Sequence, residues 1–444
     1  MKRRTLLGLF AGAVLGAACV LARRSSAQSA SAQAADASTT PRVNEPPGEP
    51  AVGDRRLTVD VSDRMVRYSN QRYGLYFAIT GVALGTLAAS LRLRWSSRLR
   101  DAVEARIRNP VLRTAAFYGA LLGGQSLLLL PIGLYSSFIL PHQYGLATNT
   151  LGMWFGDRAK SLLISVAVGT PVILVVHMLM RRSPSRWWFL AGLGAIPLYV
   201  FGFLLTPILI DPLFNRFEPL RNQELAAKIR SLALQAGIAD SRLFQVDASR
   251  RTRSLNAYVT GVGGTARIVM WDNLLNKLDE DEVLSVLAHE MGHYAERHVY
   301  FGLAAACVGT FFLLWGTDRV GRRLLTRSSE RWEVRSLDDL AALPLLLLLM
   351  NIANFLSSPL TSAVSRTMER RADAWSLRLS PDRTAVASAF VKMSEQNLSN
   401  PRPPQWIVLW MYSHPPLQER IDRALREGRA PDAPAAETPP LSSP

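Results

Sequence analysis

The residues best equipped for chemistry are His289, Glu290 and His293, in the run His289-Glu290-Met291-Gly292-His293. Residues four apart on a helix share one face, so both imidazoles can reach a single metal ion at about 2.0–2.1 Å. Glu290 lies rotated beside them, where it can take a proton from an attacking water. Zinc lowers the pKa of such a water to about 7, which yields a nucleophile at neutral pH. Only six histidines occur in the chain, so their pairing here is not imposed by abundance. The chemistry indicated is zinc-dependent hydrolysis with one zinc per chain.

A catalytic zinc needs a third protein ligand and one open position. A metzincin would carry glycine at 296 and histidine at 299; the chain has Glu296 and Val299. An intramembrane protease of the site-two type would place the motif inside an apolar span with a partner Leu-Asp-Gly, and neither holds. Four carboxylates remain: Glu296, Glu330, Glu333 and Glu369. Glu296 follows His293 by less than one turn and points along the same helix. Glu330 and Glu333 sit in an arginine-rich loop assigned to the other side of a membrane. Glu369 is on the correct side, in the helical stretch SRTMERRADAWSLRL, with Asp373 one turn later to orient a ligand histidine.

The motif needs a helix to carry it. Asp279 with Glu282 three residues on reads as a capping-box start for a helix running through His298. Glu224 to Ala236 reads as an amphipathic helix ended near Gly237. Phe244–Ala248, Asn256–Gly261 and Ala266–Trp271 read as short strands, the last two joined by a turn at Gly261-Val262-Gly263-Gly264.

The rest of the chain is built for a bilayer. Of its 444 residues 48% are hydrophobic and 19% charged, and the apolar ones fall in blocks. Six blocks, roughly 73–91, 114–140, 160–180, 187–210, 299–316 and 338–360, are long enough to cross as helices, the fifth only just. Ahead of them lie a basic start and apolar run over 1–27, a signal peptide or anchor, and a spacer over 28–72 expected to be disordered. The four blocks in 73–210 precede a polar catalytic region, 211–298. Two spans in 299–360 precede a second polar region, 361–425, and a disordered tail, 426–444.

Arginines cluster in three short loops: Arg92 to Arg113, Arg181 to Arg186, and Arg319 to Arg335. The intervening loop 141–158 holds only Arg158. The positive-inside rule places the three rich loops in the cytoplasm and both catalytic regions on the opposite, periplasmic side of a bacterial inner membrane. The net charge of +16 therefore serves topology; no basic stripe with interleaved aromatics points to nucleic acid. Cys19 and Cys307 both lie in apolar segments and make neither a disulfide framework nor a metal site.

Three motifs in order, HEMGHYAERH, SRTMERRAD and SHPPLQERI, resemble the membrane zinc endopeptidases of the CAAX prenyl protease type, the a-factor-converting group of gluzincins. Asp211 to Leu220 and the segment Asn256-Ala257-Tyr258 are similar to that group too, so the likeness covers roughly 73–425. It implies a mainly α, polytopic fold: a ring of membrane helices around a water-filled chamber, with an attached α+β zincin-type catalytic domain at its polar end. It implies Glu369 as third ligand and Asp373 behind the site, with Asn256, in the Tyr258 segment, and His414 beside the substrate backbone. His414 has an independent case, since a positioned imidazole can stabilise the oxyanion formed in peptide hydrolysis.

The substrate class implied is a membrane-associated or exported polypeptide. A membrane quality-control protease of the heat-shock type shares the chemistry but has fewer spans. A transporter or scaffold on the same fold predicts a broken constellation, whereas every ligand and the base are present. His142, His177 and His298 are expected to be packing, chamber-lining or structural groups, and Asn351 and Asn354 to face the bundle interior.

Overall fold

The computed structural model describes residues 57, 59–238, 241–261, 265–380 and 382–428. The signal or anchor over 1–27, most of the spacer, the tail beyond 428 and the glycine-rich turn past Gly261 lie outside the described residues.

Helix α1, Asp63–Arg92, begins ten residues before its apolar block, because the Ser62 hydroxyl caps it by accepting from Met65 N. The spacer expected over 28–72 therefore does not extend past Ser62. Val59 is already buried, against Phe390 and Ile421 of the catalytic region. After the short α2, Trp95–Glu104, the second block is not one rod. It splits into α3, Pro110–Leu128, and α4, Leu130–Gln143, bent by 65°. Pro131, just past the break, has no N–H to continue the ladder and its ring crowds the preceding turn. Helix α5, Leu151–Arg182, and α6, Trp187–Leu205, follow.

Two much longer helices lie beyond the first polar region. These are α10, His298–Trp332, and α11, Leu343–Leu379, of 35 and 37 residues. At 1.5 Å per residue each exceeds about 50 Å, well past the roughly 30 Å hydrocarbon core. The fifth block, expected to be barely long enough, is thus the first half of a rod that continues into an arginine-bearing second half. Five of the described helices are long and apolar enough to span a bilayer, or six if the bent pair is counted.

These six segments form a closed circle. α1 packs on α3, α3 on α5, α5 on α6, α6 on α10, α10 on α11, and α11 returns to α1. A solid six-helix bundle would bury an inward stripe on every member. Here none of α10's apolar window is buried and only 11% of α6's, so the ring is hollow. Along α11, Asn351, Asn354, Ser358, Thr361 and Ser365 recur every three or four residues, on the face that also carries Glu369. That polar line leads through the ring to the catalytic region.

The catalytic region is a four-stranded sheet backed by helices. Strands β1, Phe217–Pro219, β2, Arg242–Val246, β3, Ala257–Thr260, and β4, Arg267–Trp271, lie in the order β1-β2-β4-β3. The β2–β4 pair is parallel and the other two antiparallel. Helix α7, Gln223–Gln235, α8, Asp272–Lys277, and α9, Glu280–Ala295, complete it, joined by α12, Arg383–Gln396, α13, Gln405–Met411, and α14, Leu417–Gly428. Ile229, Met270, Leu274, Leu287 and Met291 are fully enclosed between sheet and helices. Each such side chain contributes roughly 1.5–3 kcal/mol. Arg251 ties this unit to the ring through Asp157 and the Phe214 carbonyl.

Candidate metal centre

Helix α9 starts where its sequence says it should. The Asp279 carboxylate accepts from Glu282 N at 3.0 Å, and Asp279 N donates to Glu282 Oε2 at 2.9 Å. Such a box is worth about 1 kcal/mol and sets the helix phase. The helix does not run through His298 as expected. It ends at Ala295, and Arg297 takes a left-handed φ of 55°, after which α10 leaves in a new direction. That reversal returns the His298 ring to His293, with their Nδ1 atoms 3.0 Å apart.

Gly292 decides what can face the two histidines. A Cβ there would come within 2.7 Å of Trp375 Cβ and 3.1 Å of Ala372 Cα, so α9 and α11 meet backbone to backbone. Ser376 Oγ donates to Ser285 O at 2.7 Å, and Trp375 Nε1 donates to Glu296 Oε1 at 2.8 Å, locking the register. Glu369 and Asp373, one turn apart on α11, then point at α9. The stretch SRTMERRADAWSLRL is therefore the end of the last membrane helix and not a separate one.

The ligand atoms converge. His289 Nε2 and His293 Nε2 are 3.2 Å apart; Glu369 Oε2 lies 3.3 Å from the first, and Oε1 3.4 Å from the second. Ligands bound tetrahedrally at 2.0–2.1 Å are separated by about 3.3 Å, so each imidazole stands at that spacing from the other and from one of the two Glu369 oxygens. Glu369 Oε2 is buried with only His289 Nε2, at 3.3 Å, beside it, an expensive state for a carboxylate oxygen unless a cation compensates it. Among the described residues these three form the only group of this kind that could hold a metal ion.

A ring of partners orients them. His289 Nδ1 faces Asp373 Oδ1 at 2.9 Å. Asp373 is gripped in turn by Arg420, with Nη2 at 2.6 Å from Oδ1 and Nε at 3.0 Å from Oδ2. Burial and Arg420 press against a charge on His289, but its hydrogen bonds to Asp373 and Glu369 prevail and lift it to about 9. The pocket thus attracts positive charge at the point where the ligand atoms meet. Burial pushes Glu290 up to about 7, with His289 opposing and Glu369 adding repulsion. A carboxyl so tuned suits a general base near neutral pH.

His414, on the exposed rim, places Nε2 3.3 Å from Glu369 Oε1, and Ser413 Oγ lies 2.9 Å from its Nδ1. Arg366, a turn before Glu369, donates to the carbonyls of Val408 and Tyr412 and so holds the loop that carries His414. β3 is the outer strand beside α9. Its Ala257 and Val259 pack toward α9, while Tyr258 lies among Phe217, Phe244 and Trp271 on the opposite sheet face. The structure therefore does not bring the Tyr258 side chain to the histidines; Asn256, half-buried at the strand start, shares Tyr258's side by alternation.

Glu330 and Glu333 lie at the far end of α10, about 48 Å along the helix from His298, and Glu333 pairs with Arg94. Glu296 is taken by Trp375. His142 Nδ1 lies 2.7 Å from Phe138 O. Arg420 is the functional neighbour that sequence reasoning passed over, although it lies inside the motif SHPPLQERI. Its one available signal was an arginine on the apolar side of an amphipathic helix.

Residues 219–427 match peptidase family M48, and residues 45–216 match the CAAX prenyl protease N-terminal family of five membrane helices. An uncharacterized metalloprotease of Bacillus subtilis, YhfN, is 36% identical across 82% of this chain and 86% of its own. The CAAX prenyl protease 1 of Saccharomyces cerevisiae is 28% identical across 79% and 78% respectively. The crystal structure of S. mikatae Ste24p superposes with a TM-score of 0.70 at 24% identity, covering 82% of this chain and 87% of that one.

Proposed function

The chain belongs to the M48 peptidases and is an integral membrane metalloprotease, and from that premise we propose that it is a zinc endopeptidase that cuts membrane-associated or exported polypeptides at the end of its hollow helical ring. The observation that carries this reading is the convergence of His289, His293 and Glu369 at tetrahedral spacing beside Glu290. Zinc held by these three would supply a Lewis acid for the scissile carbonyl and a water acidic enough to lose its proton near neutral pH.

The remaining work falls to the chain. Glu290 accepts the proton of the attacking water at its carboxylate and delivers it to the departing amide nitrogen. His414 donates from Nε2 to the oxygen on which negative charge develops. Asp373 holds the His289 ring through Nδ1, and Arg420 fixes Asp373, so the ligand presents Nε2 without a search. An extended substrate adds to the free edge of β3, with Asn256 at its start, as peptides add to open sheet edges elsewhere.

Metal removal tests the reading. Phenanthroline treatment of the purified protein should abolish cleavage of a fluorogenic peptide, and about one equivalent of zinc per chain should restore it. Full activity in a preparation shown by elemental analysis to be metal-free would end the proposal.

We also assign the catalytic region to the periplasmic side, on the three arginine-rich loops opposite it. In a background lacking Cys19 and Cys307, Ser231→Cys should react with a membrane-impermeant thiol reagent in intact cells, and Thr326→Cys should not. The reverse pattern would place the site in the cytoplasm, where a prenylated CAAX substrate becomes the better reading.

A further inference from the structure

A second chemical feature lies at the other end of the ring. A cavity of about 470 Å³ opens between the start of α3, the end of α5 and the segment leading into α11. Asp157, near the catalytic region, and Arg181, at the cavity, are 24 residues apart on α5, about 36 Å. The cavity therefore sits across the membrane from the metal centre. Trp95, Trp188 and Trp332 stand at the same helix ends, the level at which tryptophans mark the headgroup region.

Its walls have two chemistries. The inner part is apolar, with Leu174 and Met178, and includes His177, 4% exposed, whose Nε2 has no hydrogen-bond partner. The rim carries Arg113, Arg181, Arg182 and Arg335. Three carboxylates also line it. Asp339 is neutralised by the buried Arg100 at 2.5 Å. Asp338 takes Nε of Arg181 at 2.9 Å, and Glu104 takes Arg335 at 3.1 Å with Arg113 at 3.9 Å. Arg335 also reaches Asp101 at 3.5 Å, so four guanidiniums with five N–H donors each face three carboxylates, Glu104, Asp101 and Asp338. The Arg182 side chain makes no hydrogen bond or ion pair among the described residues.

Convergent arginine donors beside a buried imidazole form a receptor for a multiply acceptor anion, and phosphate is one of the groups that the arginine fork matches bidentately. An apolar floor beneath the donors suits a phosphate attached to a hydrocarbon. We infer that this cavity binds a phosphate group, supplied by the headgroup of an anionic phospholipid in the arginine-rich leaflet. The occupant touches α3, α5 and the approach to α11, which meet beside the cavity in a cluster of Phe117, Leu121, Ile173, Leu340 and Leu343.

Delipidated full-length protein in detergent, examined by native mass spectrometry, distinguishes the outcomes. One dioleoyl-phosphatidylglycerol per chain should be retained in preference to dioleoyl-phosphatidylcholine. The double variant Arg113→Gln/Arg182→Gln should lose about twenty-fivefold in that retention, at roughly fivefold per arginine. Its peptide hydrolysis should stay within about twofold of wild type, which shows that the fold survives. Arg182→Gln alone, which breaks no contact described here, should still lose about fivefold. Saturable binding of inorganic phosphate, with phosphatidylglycerol no better than phosphatidylcholine, would keep the phosphate site and make its source soluble. Equal retention of both lipids with no phosphate binding, or unchanged retention in both variants, would overturn the inference.

Discussion

Glu290→Gln should retain about one zinc per chain and lose peptide hydrolysis by roughly 10³-fold or more. The substitution is isosteric and leaves the three converging ligand atoms untouched, since they belong to His289, His293 and Glu369. What it removes is the group that can accept a proton. A glutamine amide presents a carbonyl oxygen of negligible basicity to the same water. Burial pushes Glu290 up to about 7, so near neutral pH the native side chain can both take up and release a proton, which the amide cannot. Elemental analysis and initial rates on the same preparation separate the two effects. Activity within about tenfold of wild type, with metal bound, would remove Glu290 from the proton-transfer role.

Glu369→Ala should abolish both stoichiometric zinc and activity. It deletes the one anionic ligand and leaves two neutral imidazoles, which hold a divalent cation weakly. Losing an orienting partner alone costs roughly 10–100-fold in metal affinity, so a lost ligand should cost more. The carboxylate that remains nearby, Asp373, cannot replace it, because Arg420 and His289 already occupy both its oxygens. Retention of one tight zinc per chain would take Glu369 out of the coordination sphere and require a different donor.

The local features of this site are legible in the chain because short-range rules fix them. The Asp279–Glu282 cap and the i, i+4 histidines need nothing beyond one helix. Three of the four strands are recognisable to within about two residues, since their β-branched and aromatic content is bounded by turn residues. Continuity between membrane and catalytic region is different. At Arg366 the composition turns from apolar to charged, which reads as the end of a span, yet helix formers carry α11 on to Leu379. The break at Arg297 is hidden for the opposite reason: a non-glycine residue in the left-handed region has no sequence signature. Arg420 and Tyr258 follow the same logic. Whether a side chain faces a distant carboxylate or an apolar sheet depends on partners that no local pattern records.

The unbroken run of α11 from Leu343 to Glu369 makes helix length a catalytic parameter. Each inserted residue would lift the carboxylate about 1.5 Å and swing it about 100° away from His289 and His293. The tight contact at Gly292 leaves α9 no room to follow. Insertions or deletions in the second half of α11 should therefore be far less tolerated than point substitutions there. Seven residues, which restore the angle to within about 20°, would still displace Glu369 by about 10 Å. In this protein the count of residues crossing the bilayer is as much a determinant of the site as the identity of the residues that line it.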